Sequence, residues 1–128
     1  MNKNFLIIGA ILGGFAVAIG AYGAHGGAEY LIGEAAITFG KAVKYQMHHA
    51  LALLIVALAI AQFPKQKKLL TFSGYSFLAG ILLFSGSLYL IVFANIPMGY
   101  VTPFGGTFFV LGWFLLAFAA WKDKKSDQ

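Results

Sequence analysis

Residues 69–93 read LLTFSGYSFLAGILLFSGSLYLIVF and contain no Asp, Glu, Lys or Arg. A helix that crosses the hydrocarbon core of a bilayer needs about 20 predominantly apolar residues. The apolar positions run continuously rather than alternating, and an isolated segment in lipid satisfies its backbone hydrogen bonds only as a helix. The stretch therefore predicts a transmembrane helix.

Three other segments have the same character, at residues 5–24, 46–63 and 100–121. Hydrophobic residues make up 60% of the 128-residue chain and charged residues only 10%. A soluble domain of this size could not bury so much apolar surface. The sequence predicts one all-helical transmembrane domain over residues 1–128, with four spans.

The lysines predict how these spans are oriented, because short cytoplasmic loops are enriched in Lys and Arg. Seven of the nine basic residues fall on one side of the predicted spans: Lys3, Lys65, Lys67, Lys68, Lys122, Lys124 and Lys125. Lys41 and Lys44 fall on the other side, offset by Glu29 and Glu34. Both termini are expected in the cytoplasm. The net charge of +5 follows from this asymmetry, so lipid headgroups are expected partners and nucleic acid is not.

The segment between the first two spans has a helical pattern of its own. On a helical wheel, Glu29, Glu34, Lys41 and Lys44 share an arc of less than half a turn, opposite apolar residues. The pattern predicts an amphipathic helix over residues 28–44 in the membrane interface. Two glycines at positions 33 and 40 leave open a break into two short helices, or an irregular loop.

Glycines predict where the spans pack, because helices in lipid associate where small residues let their backbones approach. Gly9 and Gly13 form a GxxxG pair in the first span, and Gly20 continues their face. Gly80 and Gly86 give the third span a similar face. Packing within one four-helix bundle is favoured over a dedicated dimer face, and self-association stays open.

The chain has three histidines, at the ends of the first two predicted spans. His25 closes the first span, while His48 and His49 open the second beside Tyr45 and Gln46. If both spans cross the membrane, the three imidazoles lie at its outer face. His48 and His49 are neighbours and point about 100° apart on a helix, so they cannot both face one partner. The candidate ligand-binding residues are His25, His49, Tyr45 and Gln46.

Four segments carry a family resemblance: GAYGAH at 20–25, YQMHHALAL at 45–53, GILLFSGSLY at 80–89 and TPFGG at 102–106. With these segments in this order, the chain resembles the bacterial membrane family known as Domain of Unknown Function 423, or UPF0382. The resemblance implies a small four-span protein of the bacterial inner membrane and supplies no reaction. In the family pattern the histidine corresponds to His49, whereas the place of His48 is often aromatic. His48 is therefore the weaker functional candidate.

Three functions are compatible with these features. The first is a non-enzymatic accessory or scaffold component that associates with other membrane subunits or with itself, its histidines bonding between helices. The second is a ligand-binding protein that holds haem, a metal ion or a quinone headgroup near His25 and His49. The third is a small oligomeric channel or a lipid or solute transporter. No enzyme is expected, because Ser85 and Ser87 are predicted to lie far from the histidines.

The sequence specifies neither a metal site nor a haem site, and both stay open as ligands near His25 and His49. The chain has no Cys, which excludes thiolate ligands and the C-x-x-C-H haem attachment. It has no HExxH motif either. Two histidines are fewer ligands than a recognised metal site normally has, so the sequence predicts no cofactor.

Overall fold

The computed structural model describes residues 2–123 and is helical almost throughout that range. Its elements, listed in chain order, are α1 (Asn2–Ala24), α2 (Glu34–Gln62), a 3₁₀ turn (Pro64–Gln66), α3 (Lys67–Gly80), a π-helical turn (Ile81–Ser85), α4 (Gly86–Ala94) and α5 (Thr102–Lys122). The segment Pro64–Ala94 is one continuous helical rod. Four helices in the described chain are thus long and apolar enough to cross a membrane, which confirms the predicted all-helical four-span architecture.

Local sequence explains where the helices begin and end. Gly33, just before α2, has φ 59° and ψ −130°, a backbone conformation that residues with a side chain rarely adopt. Pro64 opens the next rod at a first-turn position, where its missing N–H leaves no bond unmade. Asn95 ends α4 in the left-handed conformation, at φ 55°, which Asn tolerates better than most residues.

The separate interfacial helix predicted over residues 28–44 is not present. Residues 25–33 form turns, and residues 34–44 are the first three turns of α2 itself. The amphipathic pattern has another cause, because its apolar arc faces the bundle: Phe39 packs on Gly23, and Val43 on Gly20. Of the two glycines that could interrupt this segment, Gly33 does so, because α2 begins directly after it. Gly40 lies inside the continuous helix.

α1 packs antiparallel on α2 through small residues. A Cβ added to Gly9 would lie 2.9 Å from the Ala50 carbonyl oxygen, so only glycine allows this approach. At Gly13 a Cβ would make ordinary contact with Ala50, at 3.8 Å. Gly86, by contrast, faces only a carbonyl of its own helical rod, at 3.9 Å.

The closest helix–helix approach joins the π turn to α5. A Cβ on Gly105 would lie 2.7 Å from Phe84 Cα and nearer still to the Phe84 nitrogen. One turn away, a Cβ on Gly80 would lie 2.5 Å from the Phe109 ring and 3.1 Å from the Gly105 carbonyl oxygen. The two helices therefore touch main chain to main chain, which is how small residues act in membrane helix packing.

Buried serines bond the helices together at two levels. Ser73 Oγ donates to the Gly112 carbonyl at 2.7 Å, and Ser85 Oγ donates to the Ala42 carbonyl at 2.8 Å. Both hydroxyls lie in the interior, where an unpaired hydroxyl would cost free energy. These bonds fix α3 against α5, and the π turn against α2.

The lysine-rich regions meet at one end of the bundle. Gln66 Nε2 lies 3.4 Å from Asp123 Oδ1, which places the end of α5 beside the α2–α3 turn. The start of α1 is near the same end, since the Phe5 ring packs edge-on against Tyr75 at 5.4 Å. Lys124 and Lys125 lie outside the described residues. That this end faces the cytoplasm stays a prediction.

Candidate functional site

His49 lies midway along α2 rather than at the outer end of a span. The helix begins 15 residues before it and ends 13 residues after it, roughly 22 Å and 20 Å at 1.5 Å per residue. Its neighbour Gln46 bonds to the Leu12 carbonyl, halfway along α1. α2 begins twelve residues before the predicted start at 46, so His48 and His49 do not lie at the start of this helix.

His25 is not close to His49. It is exposed in the turn that follows α1, and the nearby Gly23 packs on Phe39. In this antiparallel register His25 is level with about residue 37 of α2, which is roughly 18 Å along the helix axis from His49. The predicted pair of imidazoles does not form.

Both ring nitrogens of His49 are used within the protein. Nδ1 lies 2.8 Å from the Tyr45 carbonyl oxygen. Trp113 Nε1 donates to Nε2 at 3.0 Å. An indole N–H can only donate, so Nε2 is an acceptor, and Nδ1 carries the proton and donates to Tyr45. The ring also stacks on Phe109, with centroids 3.5 Å apart, which leaves the buried imidazole fully engaged.

This bonding does not suit a metal or haem ligand. The one lone pair that a neutral imidazole could offer, on Nε2, already accepts from Trp113. His25 is too distant to serve as a second ligand on the same iron. Among residues 2–123, no group of three His, Asp or Glu side chains is placed to hold a metal ion. His49 instead joins α2 to α5.

Gln46 forms a second set of hydrogen bonds between helices, one turn of α2 before His49. It is 4% exposed, its Nε2 donates to the Leu12 carbonyl at 2.8 Å, and its Oε1 accepts from the Tyr89 hydroxyl at 2.7 Å. The amide therefore connects α1, α2 and α4. Like His49, this predicted ligand residue has its hydrogen-bonding groups turned toward the protein.

Beside His49 a groove opens between α2 and α5, with a volume of about 700 Å³. We call it the α2–α5 groove. Pockets that hold small molecules commonly measure about 300–1,000 Å³. Its lining residues are Tyr45, His48, His49, Leu51, Ile55, Phe84, Gly106, Phe109, Val110 and Trp113.

Aromatic rings line most of the α2–α5 groove, and aliphatic side chains line the part of α2 that follows His49. Tyr45 packs against Phe84 with centroids 4.9 Å apart, while the stacked Phe109 extends the wall. Further along α2 the lining changes to Leu51 and Ile55, both about half exposed. The groove therefore opens sideways, toward the acyl chains of a surrounding bilayer.

Two polar side chains in the groove have no hydrogen-bond partner among residues 2–123. Neither the Tyr45 hydroxyl nor the His48 ring takes part in a hydrogen bond with another residue of the described chain. His48 is exposed, and it lies about halfway along α2, the candidate span Glu34–Gln62. Polar groups left unpaired in hydrocarbon are costly, and they commonly mark functional sites.

The structure places His48, ranked as the weaker candidate, in the lining of the α2–α5 groove together with Tyr45. A signal for this was present in the sequence. Lys41, Lys44 and His48 follow each other at intervals of three and four residues, which places them on one helix face. All three are exposed in the structure, so a polar face leads from the turn end of α2 down to the groove.

The turn that contains His25 is closed by aromatic contacts. The Tyr22 and Tyr30 hydroxyls hydrogen-bond to each other, and the Tyr22 ring faces Phe93 at 6.4 Å. The hydrogen bond from Tyr22 raises the pKa of Tyr30 above its ordinary value. These contacts tie the turn to α4 without using the imidazole of His25.

The chain is similar to known membrane proteins and matches one protein family. Chains similar along almost their whole length are bacterial membrane proteins. A "UPF0382 membrane protein" of Haemophilus influenzae is 42% identical over 125 residues, covering 97% of this chain and 98% of its own. "UPF0382 membrane protein YwdK" of Bacillus subtilis is 39% identical over 121 residues, covering 94% and 98%.

The family itself is matched over residues 19–106, under the description "Protein of unknown function (DUF423)". The chain belongs to this family of UPF0382 membrane proteins. The predicted resemblance is thereby confirmed. No solved structure matches the chain.

Proposed function

We propose that this protein is a non-enzymatic component of the bacterial cytoplasmic membrane that binds a lipid-soluble quinone in the α2–α5 groove. The observation that carries the proposal is the pair of unpaired polar groups, the Tyr45 hydroxyl and the His48 ring, on an aromatic groove about halfway along α2. A quinone carries two carbonyl acceptors on a flat ring. Tyr45 and His48 offer donors to these carbonyls, and the aromatic wall offers a stacking surface.

The shape of the groove also suits the rest of such a molecule. Lipid-soluble quinones have an apolar isoprenoid tail attached to the ring. Leu51, Ile55 and Val110 provide an aliphatic path that leaves the aromatic wall and opens to the bilayer. Among the three ligands considered from the sequence, quinone has the best support, because the Nε2 lone pair of His49 is occupied and His48 alone is fewer ligands than a metal site normally has.

A non-enzymatic role is supported by how the serine hydroxyls are used. Ser73 and Ser85 donate to main-chain carbonyls of other helices, and Ser87 donates to the Phe84 carbonyl. A serine nucleophile needs a base within hydrogen-bond reach. Transport has less support than binding, because buried hydroxyls bonded to carbonyls serve helix packing and do not line a path.

Fluorescence of Trp113 can test the binding proposal. The chain has two tryptophans, so Trp121→Phe leaves Trp113, in the groove wall, as the only one. Titration of this protein in nanodiscs with decylubiquinone should quench the emission to saturation. His48→Ala and Tyr45→Phe should each weaken binding about three- to tenfold, the effect of losing one hydrogen bond.

A matched pair of glycine variants provides the control for quinone that dissolves in the lipid. Gly106→Leu places a side chain in the groove, where an added Cβ comes no closer than 4.0 Å to Phe84. Gly14→Leu adds the same side chain to the outer face of α1, with nothing within 4 Å. Quenching should be lost in Gly106→Leu and kept in Gly14→Leu. Equal quenching in both would refute the proposed site.

A second candidate function is that of an accessory subunit, and the packing of α1 favours it. Only 17% of the apolar window of α1 is buried, against 44% for α2. The outer face of α1 carries exposed small residues at four-residue spacing, Ala10, Gly14 and Ala18, which is suited to close helix contact. Native mass spectrometry from mild detergent tests this role. A protein detected only as a monomer, with no bound subunit, would contradict it.

A further inference from the structure

A second cavity lies between α1 and α3, at the lysine-rich end of the bundle. It has a volume of about 210 Å³ and is lined by Asn4, Phe5, Ile7, Ile8, Thr71 and Tyr75. We call it the α1–α3 cleft. It shares no lining residue with the α2–α5 groove, so it requires an explanation of its own.

The floor of the α1–α3 cleft is the Phe5 ring. This ring is 5% exposed and packs edge-on against Tyr75 at 5.4 Å. A Cβ added to Gly74 would lie 2.7 Å from Phe5 Cε1 and nearer still to Cζ, so glycine at this position lets Phe5 lie deep between the helices. The cleft is therefore built by close packing.

Asn4 and Thr71 line the polar end of this cleft, and neither they nor the Tyr75 hydroxyl have a hydrogen-bond partner among residues 2–123. A threonine inside a helix usually bonds to the carbonyl one turn earlier. Here the Asn4 amide and the Thr71 hydroxyl are available to an acceptor outside the protein.

Lysines border the polar end of the cleft. Lys67 and Lys68 precede Thr71 by four and three residues, which places them one turn above it on the same side of α3. Lys3 stands in the same relation to Ile7 on α1. All three are exposed. The mouth of the cleft is thus cationic, and its deeper wall of Ile7, Ile8 and Tyr75 is apolar and aromatic.

From this order of groups we infer that the α1–α3 cleft is a binding site for an anionic phospholipid. Asn4 and Thr71 donate hydrogen bonds to its phosphate, and Lys67 and Lys68 supply the opposite charge. The upper part of an acyl chain lies along Ile7, Ile8 and Tyr75. A phosphate ion without a chain would use only the mouth of the cleft, so the apolar wall favours a lipid.

Native mass spectrometry of the full-length protein can test this inference. The delipidated protein is titrated with phosphatidylglycerol, with phosphatidylcholine of the same chains, and with inorganic phosphate. Phosphatidylglycerol should bind with 1:1 stoichiometry and at least about tenfold more tightly than phosphatidylcholine. Inorganic phosphate should bind more weakly than either lipid. Tighter binding of phosphate, or equal binding of the two lipids, would overturn the inference.

Variants with matched charge locate the site. Replacing Lys67 and Lys68 together by Gln should weaken phosphatidylglycerol binding about 25-fold, since each lysine near a lipid headgroup contributes about fivefold. Replacing Lys41 and Lys44 by Gln removes the same charge from α2 and should change binding less than twofold. If both double variants lose affinity equally, the attraction is a general effect of net charge, and the cleft is not the site.

An isosteric change separates hydrogen bonding from charge. Thr71→Val keeps the volume and removes only the hydroxyl, so it should weaken phosphatidylglycerol binding about threefold. Phosphatidylcholine carries the same phosphate, so its weaker binding should fall by a similar factor. Folding of each variant is checked by helical circular dichroism in the same detergent. Unchanged phosphatidylglycerol binding in folded Thr71→Val would show that the Thr71 hydroxyl does not contact the lipid.

Discussion

Gly105 and Gly106 are neighbours on α5, but Gly105 is in close contact with Phe84 and Gly106 is not. Substitutions at the two positions therefore test the contact between α5 and the π turn. A Cβ at Gly105 would lie 2.7 Å from Phe84 Cα, where ordinary contact begins at 3.4 Å. A Cβ at Gly106 would meet nothing nearer than 4.0 Å. Gly105→Ala must therefore push α5 away from the π turn, whereas Gly106→Ala fits.

The magnitudes follow from two opposing terms. Replacing Gly by Ala inside a helix stabilises it by about 0.8–1.0 kcal/mol. Overpacking typically costs about 1–3 kcal/mol, and at Gly105 the obstacle is main chain, which cannot rotate away. We expect Gly105→Ala to destabilise the fold by up to about 2 kcal/mol and Gly106→Ala to stabilise it by up to about 1 kcal/mol.

The assay is unfolding in mixed micelles with increasing mole fraction of dodecyl sulfate, followed by far-ultraviolet circular dichroism. Both variants carry the same chemical change in the same helix, so differences in propensity and detergent binding cancel. The unfolding midpoints should fall on opposite sides of the wild-type midpoint. A Gly105→Ala variant as stable as Gly106→Ala would refute the main-chain contact between α5 and the π turn.

Two further predictions concern the hydrogen bonds that His49 and Gln46 form between helices. Trp113→Phe removes the donor to His49 Nε2 but keeps a ring against Phe77, and we expect a loss of about 0.6–1.7 kcal/mol in the same unfolding assay. Gln46→Leu removes the acceptor of Tyr89 and the bond to α1, with an expected loss of about 1 kcal/mol. In the double variant the losses should add, since the two bonds share no partner. No change in either single variant would show that these bonds do not stabilise the bundle.

The number of spans was predictable because hydrocarbon demands long apolar helices, and only four segments qualify. Three predicted spans agree with helices of the structure to within a few residues. The start of α2 was missed, since Lys41 and Lys44 interrupt its hydropathy and were assigned to a surface helix. In the structure these lysines lie on the exposed face of α2, while Phe39 and Val43 pack on α1.

That error in one helix boundary also misplaced the candidate site. With α2 starting at 46, His49 was expected near the surface beside His25; with α2 starting at Glu34, it lies at the centre of the bundle. The resemblance directed attention to the segment with Tyr45, Gln46 and His49, and all three lie about halfway along α2. Tyr45 turns its hydroxyl to the groove, whereas Gln46 and His49 bond to neighbouring helices. Which of these a side chain does depends on how the helices pack, and spacing along the sequence does not specify that packing.

Photolabelling tests the central claim, that the α2–α5 groove binds a quinone, most directly. The full-length protein in nanodiscs is irradiated with an azido derivative of a short-chain ubiquinone, digested, and sequenced by mass spectrometry. The account predicts adducts on residues 45–55 and 106–113, suppressed by excess decylubiquinone and lost in Gly106→Leu. Adducts spread over exposed apolar faces such as Ile7, Ile11 and Phe15 of α1, unaffected by competitor, would contradict it.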